Sequence, residues 1–316
     1  MAYLHNNKDQ FQDAIELAYE QTGIMAQAIE KDYYVTMLLR LLSEKMPYIV
    51  FKGGTSLSKC HKVIKRFSED IDITIDTQIS QGKKKKIKQA IVSSADELGM
   101  NIENLDETRS RRDYNRYIIS YDSVLPLASD ALSPAVLLET SYTAISFPTV
   151  ILPVRSYIGD MMDKEAPDSI KEFMLLPFSM KVQGIDRTLA DKVFAICDYY
   201  LQDKVQKHSR HIYDIYKLLP LVPQDETFKN LVQEVRNIRA QSPICPSALP
   251  NVNVTQLLEQ IIEEKAYKND YDNLTTQLLE EQIPYEIVID SLKNIAKSNI
   301  FKEGVKILVS MESKSF

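Results

Sequence analysis

The sequence predicts an α+β protein, with a sheet flanked by helices over residues 1–184 and a helical domain over 185–316. Three observations predict it. Tyr48-Ile-Val-Phe51 and Ile71-Asp-Ile-Thr-Ile75 read as strands on either side of a glycine turn and a short helix. Runs rich in β-branched and aromatic residues at Tyr114–Tyr121, Ala135–Tyr142, Val150–Tyr157 and Phe178–Val182 supply further strands. After Gly184 the apolar spacing becomes almost purely helical. A chain of 316 residues is long enough to bury two cores.

Residues 9–46 read as two helices broken at Gly23, the first with Ala14, Leu17 and Ala18 on one face. The second opens with Glu30-Lys-Asp-Tyr-Tyr-Val35 and carries Tyr34, Leu38, Leu41 and Leu42 as an apolar stripe. Lys31 and Asp32 read as solvated. Pro47 ends that helix, and the next strand delivers the chain to Lys52-Gly-Gly-Thr-Ser-Leu57. A helix is expected from Ser56 to Ile64, capped by Thr55 or Ser56. Lys59 and Lys62 read either as exposed or as reaching phosphate.

The chemistry is concentrated in this stretch and the strand after it. Asp70 and Asp72 are two apart, so a strand puts both carboxylates and Thr74 on one face and Ile71, Ile73 and Ile75 on the other. Two carboxylates that close repel unless a cation lies between them. Magnesium takes one or two carboxylates and completes its shell with water and phosphate. Gly53 and Gly54 allow a tight turn with bared backbone N–H groups, which bind anions at a helix start. Ser68, two before Asp70, reads equally as a turn former or as a hydroxyl that touches phosphate or accepts a phosphoryl group.

Further on, Gly82-Lys-Lys-Lys-Lys-Ile-Lys88 opens a helix to Leu98, and Arg109, Arg111, Arg112 and Arg116 form a second basic cluster in an expected loop. Each is a solvated face or an RNA contact. Glu139 closes an otherwise apolar strand, as a third acid beside the pair or as an edge-strand residue in water. In the helical domain Leu189, Val193, Ile196 and Tyr200 form a stripe with Lys192 at its edge. Ser209 is placed to cap the next helix, whose Ile212, Ile215 and Leu219 face the core while Arg210, Asp214 and Lys217 share the other face. The rest, to Phe316, reads as helical with breaks at Pro243, Pro246, Pro250 and Pro284. Tyr267, Tyr271 and Tyr285 read as packing residues, with base stacking as the alternative.

Lys-Gly-Gly-Thr-Ser-Leu followed by Arg66-Phe-Ser-Glu-Asp-Ile-Asp72 resembles the DNA polymerase β-like nucleotidyltransferases, in the form of the AbiEii/AbiGii toxin branch. Glu30-Lys-Asp-Tyr33, Arg187-Thr-Leu-Ala-Asp-Lys192 and Arg210-His-Ile-Tyr-Asp214 are similar to other motifs of that branch, so the resemblance covers about residues 28–220. It implies the polymerase β-like core, a mixed sheet flanked by helices. It implies Asp70, Asp72, Lys192 and Asp214 as catalytic, with Glu139 as a third acid. Lys52, Gly53, Gly54, Thr55, Ser56, Arg66, Ser68 and Arg210 would then contact the nucleotide. Two Mg²⁺ ions, or Mn²⁺, would sit on Asp70, Asp72 and Glu139. The implied activity is transfer of an NMP from an NTP to an acceptor, the tRNA 3′ end in relatives, by the toxin of a type IV toxin–antitoxin pair whose antitoxin is encoded nearby. Protein nucleotidylation, a kinase-like reaction on the same fold, and a silent RNA- or protein-binding module are the alternatives.

Composition excludes little of this. With 44% hydrophobic and 26% charged residues the chain is of ordinary globular type. A net charge of −6 argues against coating nucleic acid by bulk charge but leaves room for a local basic groove. Cys60, Cys197 and Cys245 have no metal-ligand spacing and cannot all pair, so a reducing cytoplasm is expected. The start lacks the apolar run of a signal peptide, and no stretch approaches membrane-spanning length.

Overall fold

A computed structural model describes residues 2–68, 70–126, 132–143 and 145–302. Glu69 of the central motif and the end of the tail expected to be helical, residues 303–316, lie outside the described residues. Two compact units form: Met1–Thr188 with Leu278–Glu281, and Leu189–Gln277 with the described residues from Gln282 onward.

The first unit is built on one seven-stranded mixed sheet. Its strands are β1 (Ile49–Lys52), β2 (Ile71–Ile75), β3 (Asn101–Ile102), β4 (Tyr114–Ser120), β5 (Ala135–Ser141), β6 (Thr149–Val154) and β7 (Phe178–Gln183). They lie in the order β3-β4-β5-β2-β1-β7-β6. β1 runs antiparallel to β2 and parallel to β7, and β2 runs parallel to β5. β1 and β2 are thus interior strands; β1 reads as the apolar run Ile-Val-Phe, while β2 alternates isoleucine with Asp72 and Thr74. β6 pairs only with β7, and Pro153 sits in it because an edge strand loses nothing to a missing N–H.

Helices α1 (Lys8–Thr22), α2 (Ala26–Lys45), α4 (Gln81–Glu97) and α5 (Tyr157–Glu165) pack with the sheet into one core. Phe11, Ile15, Leu38, Leu42, Phe51, Ile71, Ile73, Ile87, Ile91 and Leu138 are among its fully buried members. The face of α1 differs from the expected one: Phe11, Ala14, Ile15 and Ala18 are buried and Leu17 is exposed. Gly23 stops α1 in the left-handed conformation that glycine tolerates. α2 is buried on all sides, with Glu30, Lys31 and Arg40 included. The reading of Lys31 and Asp32 as solvated therefore fails, because a helix packed all round leaves no wet face.

The short helix α3 spans Gly53–Lys59. It starts three residues earlier than expected and ends well before Ile64. Thr55 and Ser56 lie inside it and cap nothing. Ser56 instead donates to the Gly53 carbonyl at 2.9 Å.

α7 (Ile185–Leu201) follows α6 (Pro167–Glu172) in chain order; from Leu189 onward it belongs to the second unit, where it carries buried Leu189, Val193, Phe194 and Ile196. α8 (Arg210–Leu218), α9 (Glu226–Arg239), α10 (Val254–Glu263) and the helix Tyr285–Lys297 complete it. The core side of α8 is Ile212, Ile215 and Leu218 in place of Leu219. Ser209 precedes α8 but does not cap it; its hydroxyl meets Thr275 at 2.7 Å. Tyr267 and Tyr271 are fully buried, their hydroxyls donating to the carbonyls of Ile196 and Ile283 at 2.6 and 3.0 Å. With Tyr285 also buried, the base-stacking alternative for these rings falls. Cys60, Cys197 and Cys245 are buried free thiols. Among the described residues no helix is long and apolar enough to cross a membrane.

Candidate functional site

β1 runs straight into α3, so the chain reverses at Gly53 with no loop between. Gly53 holds φ +78°, a left-handed conformation that costs other residues about 1–2 kcal/mol. The reason for glycine is also spatial. A Cβ at Gly53 would fall 1.9 Å from Asp72 Oδ2, and one at Gly54 would fall 2.6 Å from the Arg66 guanidinium and 2.7 Å from Ser68 Oγ. The bare backbone of the helix start is therefore the seat on which Asp72, Arg66 and Ser68 rest.

Sheet register extends this seat into a row. Lys52 on β1 stands opposite Asp72 on β2, Asp72 opposite Glu139 on β5, and Glu139 opposite Arg116 on β4. Residues paired in register share a face, so a base, two acids and a base cross four strands in line. Arg116 Nε lies 3.8 Å from Glu139 Oε1. Arg116 thus belongs to a strand and not to the loop expected for it. Tyr114 lies two residues before it on the same face, and burial together with the nearby charge of Glu139 pushes its phenol well above the ordinary range. Thr74, next on the Asp72 face, is buried, while Asp72 and Glu139 stay half-buried. Asp70 immediately precedes β2 and is also half-buried.

The segment before β2 is strapped down by a later part of the chain. Phe67 N donates to the Leu278 carbonyl at 2.9 Å, and Glu280 N donates to the Lys65 carbonyl at 3.1 Å, around an antiparallel bridge of Arg66 with Leu279. Arg66 is buried, with Nη1 on the Phe67 carbonyl at 2.9 Å. Ser68 lies outside the strand, 3.0 Å from the Thr55 hydroxyl.

Sequence reasoning missed the support beneath α3. Lys59, at its end, is neither exposed nor turned to phosphate. Its Nζ meets Asp32 at 2.5 Å, Thr36 at 2.7 Å and the Arg155 carbonyl at 3.0 Å. The other Asp32 oxygen accepts from Tyr157 N at 2.9 Å. Glu30 accepts from Val124 N at 2.8 Å and Ser123 Oγ at 2.7 Å. The only signal was indirect: charges opening a helix whose remaining positions are too apolar to leave one side wet.

The two basic stretches converge. α4 begins at Gln81 behind a Ser80 cap, and Lys84 is ion-paired with Asp113 in the arginine loop. Lys88 donates to the carbonyl and hydroxyl of Thr108 at 2.9 and 2.8 Å.

In the second unit, Lys192 Nζ lies 2.6 Å from Asp214 Oδ2 and 3.3 Å from His211 Nδ1. Both charged partners are buried, the Asp214 side chain completely. Asp214 is therefore not on a solvated face beside Arg210, as the helical spacing suggested. Burial, then the Lys192 ammonium, keeps the His211 imidazole well below its ordinary range. Its ring stacks on Tyr199, which stacks on His208.

Asp70, Asp72 and Glu139 offer hard oxygen donors, which suit a divalent cation of the magnesium type. Among the described residues no three His, Cys, Asp or Glu side chains come together as a ready cage. Magnesium does not need one, since it keeps waters and takes substrate phosphate oxygens. The missing Cβ at Gly53 lets the Asp72 carboxylate come up against the backbone of the helix start. The residues fit such an ion.

Comparison with known proteins bears on the fold and the family. No curated relative matches the chain. Among solved structures, MenT4, a nucleotidyltransferase toxin from Mycobacterium tuberculosis H37Rv, superposes at a TM-score of 0.50 over 90% of this chain and 88% of that one. At 14% identity that likeness speaks for the fold. Residues 37–296 match the family model described as nucleotidyl transferase AbiEii toxin, type IV TA system. The chain therefore belongs to the AbiEii nucleotidyltransferase toxins of type IV toxin–antitoxin systems.

Proposed function

We propose that the protein transfers an NMP from an NTP to the 3′ end of tRNA, with magnesium as the metal, and that this arrests translation during phage infection until a neighbouring gene's antitoxin restrains it. The observation that carries the reading is the Asp72 carboxylate seated on Gly53, in register with Glu139 and flanked by Lys52 and Arg116. Asp70, Asp72 and Glu139 are the residues that would hold the metal. The chemistry it supplies when bound is charge stabilisation at the attacking and leaving oxygens of an in-line displacement.

The chain's own residues do the rest. The bare start of α3 presents backbone N–H groups to the β- and γ-phosphates, with Thr55, Ser56 and Ser68 beside it. Lys52, just before Gly53, and Arg66, against Gly54, add positive charge at that start. Lys192 is the cation assigned to the triphosphate on the family's motif order, with Arg210 as a further contact. Asp214 holds the Lys192 ammonium in one place, so little reorganisation is needed at reaction. Three unpaired cysteines support a cytoplasmic location.

The test is incubation with total RNA and each labelled NTP in turn, with magnesium, after EDTA and with manganese. Label should enter tRNA, vanish with EDTA, and vanish in Asp72→Ala. Label on protein alone would overturn the RNA acceptor. Undiminished labelling by Asp72→Ala would overturn the site.

A further inference from the structure

We propose that the accepting RNA strand lies over the β4 side of the acid row, its terminal base stacked on Tyr114 and its preceding phosphates on Arg116, Arg111 and the lysines that open α4. This rests on the nucleotidyltransferase reading of that row and adds the surface that receives the acceptor.

Tyr114 is the first observation. The residue is 51% exposed and lies two residues before Arg116, on the sheet face of Glu139. Tyr267 and Tyr271, which pack in the core, are 0% exposed. A half-exposed aromatic ring on the same sheet face as the acids is a platform for a base.

The basic tract is the second. The Lys84–Asp113 pair joins the lysine end of α4 to the residue just before Tyr114. That pair and the Lys88–Thr108 bonds use up two of the lysines, while Lys83, Lys85, Lys86, Arg109, Arg111 and Arg112 remain exposed. A local cationic tract on a chain of net charge −6 marks a polyanionic partner.

The third is that the tract is held rigid. Arg109 N donates to Asn115 Oδ1 at 2.8 Å, and Asn115 Nδ2 returns to the Arg109 carbonyl at 3.0 Å. Asn104 fills the neighbouring stretch of the β4 edge, its Nδ2 on the Arg116 carbonyl at 2.9 Å and its Oδ1 accepting from Ile118 N at 3.0 Å. Asn104 thereby satisfies the β4 backbone beside β3 and fixes the arginine loop next to Tyr114.

The experiment measures binding of fluorescein-labelled total tRNA by anisotropy, without NTP, and then transfer kinetics. Tyr114→Ala should weaken binding about tenfold and raise the acceptor KM to match, with the NTP KM unchanged. Tyr114→Phe keeps the ring and should bind within about twofold of wild type. Lys83→Ala/Lys85→Ala/Lys86→Ala, at exposed positions that leave the fold intact, should reduce the salt slope of binding by about 2. An unchanged affinity in Tyr114→Ala, a loss confined to the NTP KM, or an unchanged salt slope overturns the inference. If Asp72→Ala is inactive while Tyr114→Ala transfers normally, this inference alone falls. If Asp72→Ala still transfers, the reading of the site falls with it.

Discussion

Two residues show most directly how backbone and chemistry are tied here. Gly53 needs its left-handed φ, and its missing Cβ is the space that Asp72 occupies. Gly53→Ala should therefore lose about 1–2 kcal/mol of stability and, by displacing the carboxylate, about 100-fold in transfer rate. Urea unfolding and single-turnover kinetics check the two parts separately; a rate within threefold of wild type would show that the seat does not matter. The Lys192–Asp214 pair makes the opposite kind of case. Removing one partner of a buried pair leaves the other charge uncompensated, so Asp214→Ala should cost about 3–5 kcal/mol. Gly53 and Asp72 were legible in the sequence because turn glycines and alternating carboxylates are local signals. The burial of Asp214 was not, because spacing along one helix does not reveal what another helix places against it.

At the scale of elements, α3 is held at both ends: its start by β1 and its end by the Lys59–Asp32 pair to α2. With the Lys59 side chain 4% exposed and Asp32 14%, the pair is worth more than a surface bridge. Asp32→Asn should destabilise the protein and slow transfer together, because the helix start shifts when its far end is freed. Asp32→Leu/Lys59→Met should recover stability relative to Asp32→Asn. Denaturant midpoints and transfer rates of these variants, compared with wild type, decide it; a double variant less stable than the single would refute the argument. The strands β1, β2, β4, β5, β6 and β7 were readable from β-branched runs of the right length. The start of α3 was not, since the usual capping residues lay one turn too late and a glycine in the left-handed region opened the helix instead.

Across the whole molecule, all four histidines are held below their ordinary range, burial being the largest cause for each. His5 is pushed down to about 4. A histidine whose folded pKa is depressed is protonated first in the unfolded chain. Its stabilising effect is complete above about 6.5 and is lost as pH falls toward the folded value. Stability should thus drop between pH 7 and pH 5, His5 alone accounting for about 2 kcal/mol. Urea midpoints at the two values measure this, and His5→Phe should flatten the dependence; an unaltered slope in that variant would exclude His5 as its source. The return of Leu278–Glu281 to the first unit is the other feature of this scale. Glu280→Pro removes the N–H that bonds to Lys65 and should raise hydrogen exchange at Phe67 while leaving the sheet amides protected.

Short-range pattern was enough to determine the strand–glycine–helix–strand order, the paired carboxylates, the family and the helical character of the second half. Each of these depends on neighbours within a few residues, where side-chain alternation and backbone preference act directly. Only the tertiary structure decided that Lys52, Asp72, Glu139 and Arg116 form one row, that Lys59 supports α3 rather than a phosphate, and that the lysine and arginine stretches meet. Those facts depend on sheet order and strand register, which bring residues many tens of positions apart into contact. No local preference encodes them; the burial of two packed faces does.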